Sequence, residues 1–145
     1  MEQAGSLEGW ALETPDGLEA FEHMSFDGAY GKFWQVPVVF TASVGHDKRL
    51  SPSIRTGVIY NLAVITGATE VLLRVYQDGL ADGIFDRPEN VKEYAKIMLR
   101  LKAIYEDYKS REKVKGVDLV RAVRDIVEEL FAFVWEVMSQ TKVQR

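Results

Sequence analysis

Cysteine is absent from all 145 residues of this chain, and histidine occurs only twice. The absence of cysteine excludes disulfide bonds, thiolate nucleophiles and cysteine-based zinc sites. A structural zinc site normally needs four cysteine or histidine ligands, and two histidines do not supply them. The sequence therefore predicts no metal site and no cofactor.

Long apolar runs and phosphate-binding glycine motifs are also missing. The longest mainly apolar stretch, residues 36–44, is interrupted by Pro37, Thr41 and Ser43, whereas a membrane-spanning helix needs roughly 20 apolar residues. No glycine pattern of the Walker or dinucleotide-binding type occurs, so nucleotide binding by a glycine-rich loop has no support. The acidic N-terminus lacks the basic region of a secretory signal. These absences favour a cytoplasmic protein that does not span a membrane.

Basic residues are missing from one part of the chain. Between Met1 and Tyr30 there are seven acidic residues and no lysine or arginine, so this segment carries −7 in a chain of net charge −4. All 18 basic residues lie from Lys32 onward, where the balance is +3. Such asymmetry is a hint about partners, and it indicates an anion-binding surface outside the acidic segment.

The apolar fraction of 47% and the length indicate one folded domain with a substantial core. In the first third, Asp27-Gly28 predicts a hairpin turn. Residues 33–40 are rich in aromatic and β-branched side chains and predict a strand, in which Pro37 favours an edge position. We therefore expect residues 1–50 to form an acidic, turn-rich, β-containing segment packed on a helical domain at 51–145.

Helix signals dominate after residue 50. Ser51-Pro52 predicts a capped helix start, Thr66-Gly67 a break or kink, and Gly79 the end of the resumed helix. Asp86 with Glu89 predicts a capping box. Together with the N-terminal segment, this gives a mainly α fold: a bundle of four or five helices with a small β-hairpin or strand element.

Two apolar stripes with helical spacing predict the last two helices. The first stripe comprises Val91, Tyr94, Met98, Leu101, Tyr105 and Tyr108, and the second Val123, Val127, Leu130, Val134 and Val137. On the second helix, predicted from Asp118 to Gln140, further apolar residues widen the stripe until little of its middle is polar. We therefore expect that helix to pack against a partner subunit or another copy of the chain, through Phe133, Trp135 and Met138.

Neither histidine predicts catalysis. His23 lies near Glu19 and Glu22, but a partly buried surface histidine is the simpler interpretation. His46-Asp47 resembles an acid–base pair, yet no nucleophile has a motif context around it, and neighbouring loop residues rarely face each other. We predict a protein that is not an enzyme.

Two basic clusters are the best candidates for a binding site. They comprise Lys48, Arg49 and Arg55, and Lys109, Arg111, Lys113 and Lys115, the second continued by Arg121 and Arg124. Phosphate groups need such local positive charge, and helix N-termini add backbone donors. A solvated turn between helices is equally compatible with these residue types.

Residues 60–74, which read YNLAVITGATEVLLR, resemble a helical segment of the small subunit of archaeal type I-A CRISPR surveillance complexes. The likeness consists of an apolar helix, a Thr-Gly-small-Thr interruption and an acid-plus-Leu run leading to Arg74. The cysteine-free composition also fits a thermophilic archaeon.

This resemblance implies a non-enzymatic antiviral-defence subunit present in several copies. Such a subunit helps to hold guide RNA or displaced single-stranded DNA and contacts other subunits of the complex. It transfers no catalytic or binding motif to this sequence. The alternatives are a helical protein–protein adaptor or homo-oligomeric structural protein without a nucleic-acid role, and, third, a small-molecule enzyme with a polar pocket around His23 or His46.

Overall fold

A computed structural model describes residues 18–81 and 83–143 of the chain. These residues form a 3-10 turn at Leu18–Phe21 and five α-helices: α1 Phe26–Phe33, α2 Gln35–Gly45, α3 Pro52–Gln77, α4 Pro88–Ser110 and α5 Gly116–Val143. The expected mainly helical fold is confirmed. The acids that precede Leu18, and the Pro15-Asp16-Gly17 turn, lie outside the described residues.

The expected β element is wrong, since residues 18–81 and 83–143 contain no strand. The predicted hairpin turn at Asp27-Gly28 lies in the first turn of α1. There, the Ser25 hydroxyl caps the helix by accepting a hydrogen bond from the Gly28 amide at 3.1 Å.

The predicted strand at 33–40 instead ends α1 and begins α2. Pro37 lies in the first turn of α2, where its missing N–H breaks no intrahelical bond. Phe33, Pro37, Phe40 and Val44 are all buried, and their spacing of three or four residues places them on one helical face. Burial of that face outweighs the β propensity of the individual residues.

α3 begins as predicted but is not interrupted. Ser51 caps it by accepting from the Ile54 amide at 3.3 Å, with Pro52 in the first position. The predicted break at Thr66-Gly67 is wrong, because the helix runs unbroken to Gln77. A single exposed glycine costs a helix only about 1 kcal/mol, less than the packing of the turns on either side contributes.

The start of α4 also differs from its prediction. Asp86 does not cap the helix: Arg87 occupies the cap position without a side-chain hydrogen bond, and Pro88 is the first helical residue. The Asn90 side chain instead donates to the Ile84 carbonyl at 2.7 Å and fixes the preceding turn. The predicted stripe is confirmed, because five of its six residues are buried and Tyr105 is half-buried.

The helices enclose one core. α3 packs against α2 and α5, α4 packs against α5 and α2, and α1 lies against α3 and α4. At the α1 end of the bundle, the Phe26 ring lies 4.3 Å from Phe85 and 4.8 Å from Tyr94, between ring centroids. The described part of the expected 1–50 segment is thus built into the same bundle as the later helices.

Among the described residues, α3 alone has the length and hydropathy of a membrane-crossing helix. The core helix of a soluble protein can meet the same criterion, and seven side chains of α3 are buried in the core of the bundle. Only 39% of the most apolar 18-residue segment of α3 is buried, however, so much of this apolar helix faces outward.

Candidate nucleic-acid interface

The two predicted basic clusters lie together at one end of the bundle. The guanidinium of Arg49, in the α2–α3 connection, donates from Nη1 to the carbonyls of Arg111 and Glu112, in the α4–α5 connection. Residues more than 60 positions apart are therefore brought into contact. We call this region the basic end and define it by the nine predicted residues: Lys48, Arg49, Arg55, Lys109, Arg111, Lys113, Lys115, Arg121 and Arg124.

Asp47 and Tyr108 hold the basic end in place. The Tyr108 hydroxyl donates to Asp47 Oδ2 at 2.6 Å, and Arg49 donates to the same carboxylate from Nε at 2.9 Å and from Nη2 at 2.6 Å. The Arg49 guanidinium also lies over the Tyr108 ring, 5.5 Å from its centroid. These contacts tie the α2–α3 connection to the last turn of α4.

The electrostatics of this cluster follow from its geometry. Hydrogen bonds from Arg49 first, and then from Tyr108, hold the pKa of the Asp47 carboxyl well below its usual range. Burial, followed by the hydrogen bond to Asp47, raises the pKa of Tyr108. Asp47 is therefore ionised and Tyr108 protonated at neutral pH, and an acid–base role for His46-Asp47 gains no support because other partners occupy the carboxylate.

Arg49 therefore has a structural partner that the sequence did not reveal. Its charge is paired with Asp47 inside the cluster, so it stabilises the end of the bundle rather than standing free for a phosphate. Arg111 is also engaged, through Asp107 at 3.2 Å. The Lys109 ammonium lies over the Tyr105 ring, 4.6 Å from its centroid.

Three lysines, Lys48, Lys113 and Lys115, project from the two connections as exposed side chains. Arg121 is exposed and lies 3.9 Å from Asp118, and Arg124 is exposed one turn later. Six acidic residues share the region: Asp47, Glu106, Asp107, Glu112, Asp118 and Asp125. Against the nine basic residues they leave a net charge of +3.

Two helix N-termini point toward the same end. α3 begins at Pro52 and α5 at Gly116, and a Cβ atom on Gly116 would lie 2.8 Å from Ile54 Cγ2. The first turns of both helices are therefore adjacent. Their free backbone N–H groups and the positive ends of their dipoles add to the lysine charges, an arrangement that favours anions.

The predicted interface residues of α5 separate into buried and exposed side chains. Phe133 is 8% exposed and belongs to the core, with its ring 6.2 Å from Phe85. Met138 is half-buried against the core. Trp135 is 73% exposed and Phe131 is 52% exposed. An unpartnered apolar surface exists on α5, carried by Phe131 and Trp135.

Neither histidine is among the nine residues that define the basic end. His23 lines an open cavity of about 360 Å³ with Glu22, Ser25 and Asp86. His46 is exposed and follows the end of α2. No group of three His, Asp or Glu side chains suited to a metal ion occurs among the described residues.

The chain matches no protein-family profile, no curated protein and no solved structure.

Proposed function

We propose that this chain is a non-catalytic subunit that supports nucleic acid within a larger assembly, with the basic end against the phosphate backbone. The observation that supports this most is the convergence of two basic clusters, separate in sequence, beside the N-termini of α3 and α5. A solvated turn explains either cluster alone. Together the two clusters form a single end of net charge +3.

The exposed lysines are suited to contacting the phosphate backbone of a nucleic acid rather than the edges of its bases. Lys48, Lys113 and Lys115 are flexible cations on neighbouring connections, and ammonium groups bind phosphates as point charges without sequence preference. The whole chain is negatively charged, so the isolated protein binds weakly and a partner must add affinity. This requirement favours a subunit over an autonomous nucleic-acid-binding protein.

The resemblance of residues 60–74 suggests which assembly this is. In type I-A CRISPR surveillance complexes the guide reads sequence by base pairing while protein holds the backbone and the displaced strand. On this proposal the chain is a cytoplasmic small subunit that contacts guide RNA or displaced single-stranded DNA. The support is confined to these residues, and their Thr66-Gly67 interruption is not a break in α3.

The test replaces the three exposed lysines together by alanine, because Arg49 and Arg111 have structural partners. We expect wild type to bind unrelated single-stranded DNA and RNA oligonucleotides weakly at low salt. The triple variant should bind each of them at least about tenfold more weakly. The slope of log K against log salt should fall by about 2, because each single-strand phosphate contact contributes about 0.7.

The matched control is Lys32→Ala, Lys92→Ala and Lys96→Ala, which removes the same charge from α1 and the first half of α4. Fluorescence anisotropy titrations over a salt series measure both variants. Equal weakening by the two triple variants would show a general charge effect and contradict a localised site. Absence of any binding by wild type at low salt would contradict phosphate contact by the basic end.

A second function is favoured by a separate observation. Tyr60 on α3 and Trp135 on α5 are 68% and 73% exposed, and exposed apolar patches mark interaction sites. A helical protein–protein adaptor or homo-oligomer without nucleic-acid contact would explain these side chains. It predicts no salt-dependent binding to any polynucleotide in the same titrations.

A further inference from the structure

α3 carries a second, outward stripe in addition to the one that it buries. No charged residue occurs between Arg55 and Glu70, although a surface helix normally has a polar outer face. The outward positions are all exposed: Thr56, Tyr60, Ala63, Gly67, Glu70 and Arg74. They are separated by alternating steps of four and three residues, the spacing with which one helix packs along another.

The exposed apolar side chains of α5 lie beside the outward stripe of α3 and widen the apolar face. Gly57 lies level with Val120, because a Cβ atom added to Gly57 would lie 3.7 Å from Val120 Cγ2. One turn earlier Ile54 lies beside Gly116, so the two helices run in the same direction. Both rise by the same amount per residue, so Val71 is level with Val134. Phe131 and Trp135 therefore border the outward stripe of α3.

The exposed aromatic rings of this face supply about half of the area that a dimer needs. From their exposed fractions, Tyr60, Phe131 and Trp135 present roughly 400 Å² of side-chain surface, taking about 200–250 Å² for each fully exposed ring. Val71, 45% exposed, and the surface over Ala63 and Gly67 add to it. A stable interface buries about 800 Å² per partner, so this face supplies much of one.

The stripe is complementary to a second copy of itself in the antiparallel direction. A two-fold axis midway between Ala63 and Gly67 places Ala63 against the partner subunit's Gly67. A Cβ atom on Gly67 would meet nothing within 4 Å, so the two backbones can approach closely there. The same axis places the Tyr60 hydroxyl against the partner subunit's Glu70, a suitable acceptor. A parallel pair would instead bring two Glu70 carboxylates and two Arg74 guanidinium groups together, which opposes association.

The same axis pairs the apolar and basic parts of α5. Because α5 runs beside α3, an antiparallel pair of α3 helices brings two α5 helices face to face. Trp135 then lies level with the partner subunit's Arg121, and Phe131 lies within one residue of the level of the partner subunit's Arg124. Both arginines are exposed, and a guanidinium over an aromatic face is attractive.

A lipid surface fits this face less well than a second copy. Glu70 and Arg74 belong to the stripe, and Arg124 and Glu128 lie beside Phe131 on exposed positions of α5. Charged groups in a bilayer are costly, whereas the antiparallel pair places Glu70 against the partner subunit's Tyr60 hydroxyl and Arg121 beside the partner subunit's Trp135 ring.

We therefore propose that this chain forms an antiparallel homodimer through the outward stripe of α3 and the exposed Phe131 and Trp135 of α5. The proposal does not rest on nucleic-acid binding. The two basic ends would lie at opposite ends of the dimer.

The main test is Gly67→Glu in the full chain, measured by sedimentation equilibrium. The glycine is exposed with open space around it, so the monomer fold tolerates the change. In the dimer the new carboxylates lie near the two-fold axis in an apolar layer. We expect dissociation to increase on the order of 100-fold, with unchanged circular dichroism.

The matched control is Gly31→Glu on α1, also an exposed helical glycine with nothing within 4 Å. It should remain a dimer. Equal dissociation by both variants, or a wild-type chain that is monomeric at all soluble concentrations, would overturn the proposal. So would flotation of wild type, but not of Gly67→Glu, with phosphatidylcholine vesicles, because the face would then be a lipid-binding surface.

The direction of pairing has its own test, because the chain contains no native cysteine. Ala63→Cys and Gly67→Cys variants are prepared separately, mixed and oxidised. An antiparallel dimer joins one variant to the other, and mass spectrometry should show mainly the mixed disulfide. A predominance of Ala63→Cys paired with itself would contradict the antiparallel arrangement.

Discussion

Removing the Tyr108 hydroxyl tests whether the basic end is held together as the structure indicates. Tyr108 is 2% exposed, and its hydroxyl donates to Asp47 Oδ2 at 2.6 Å. In Tyr108→Phe the ring still packs against Phe40, 5.4 Å away between centroids, so the hydrogen bond is the main loss. Asp47 would keep its bonds from Arg49.

The magnitude follows from the charge of the acceptor. A hydrogen bond to a charged group contributes about 1.5–3 kcal/mol. Because Arg49 continues to satisfy the carboxylate, we expect Tyr108→Phe to lower the free energy of unfolding by about 1.5–2 kcal/mol. For a chain of this length that corresponds to a decrease in Tm of about 5 °C.

The Asp47–Tyr108 pair should make the stability of the fold decrease at both acidic and alkaline pH. The pKa of Asp47 is lowered in the fold, so its stabilisation is present above the unfolded value of about 3.9 and is lost as the pH falls below it. The pKa of Tyr108 is raised, so its stabilisation is present below about 10 and is lost as the pH rises further. Tyr108→Phe should remove the part of the alkaline loss that Tyr108 causes and weaken the acidic loss.

The assay is urea unfolding followed by circular dichroism at pH values from 3 to 11, with Tyr94→Phe as the control. Tyr94 lies on the same helix and is fully buried, but its hydroxyl has no hydrogen-bond partner among the described residues. Its removal should leave stability unchanged or raise it, since an unpaired buried hydroxyl is unfavourable. If the two variants are equally stable, the Asp47–Tyr108 bond contributes nothing and the reasoning is refuted.

Three further substitutions test the packing and charge of the bundle. Gly116→Ala should destabilise the fold by about 1–3 kcal/mol in urea unfolding, because its Cβ would lie 2.8 Å from Ile54 Cγ2. By contrast, Gly31→Ala should stabilise it by about 0.5–1 kcal/mol, and the opposite order would contradict the packing of α3 on α5. Burial, and then the charge of Glu128, raise the pKa of Asp125, so Asp125→Asn should increase Tm slightly at pH 7. That gain should vanish as the pH falls below the unfolded value of about 3.9, where Asp125 is protonated in the folded and unfolded wild type alike, and a constant difference would exclude titration of Asp125 as the cause.

The helices of the second half were predictable because periodicity and burial agree there. The stripe from Val91 to Tyr108 and the stripe on α5 each place apolar residues on one face, and no competing signal interrupts them. In the first third of the chain, the propensities of single residues and their tertiary burial favour different structures. Residues 33–40 have β-branched and aromatic character, but tertiary burial of Phe33, Pro37 and Phe40 on one side selects a helix.

The candidate site was predictable as two separate clusters but not as one surface. Local charge identified Lys48 and Lys113, whereas their proximity depends on bonds between residues about 60 positions apart, such as Asp47 with Tyr108. Tyr108 fitted an apolar stripe, so its hydroxyl gave no sign of a polar role. The absence of charge between Arg55 and Glu70 was the available signal for the outward stripe of α3.

The hydrogen bonds from Arg49 to the carbonyls of the α4–α5 connection have a consequence for the entropy of anion binding at the basic end. Two surface loops that would otherwise fluctuate independently are joined to each other and to Tyr108. Anion binding at Lys48 or Lys113 therefore need not order backbone, and only the rotamers of the lysines are restricted, at most about 2 kcal/mol each. On the proposed function, pre-organisation of this kind would let a few mobile lysine side chains hold a phosphate backbone without fixing it in one position.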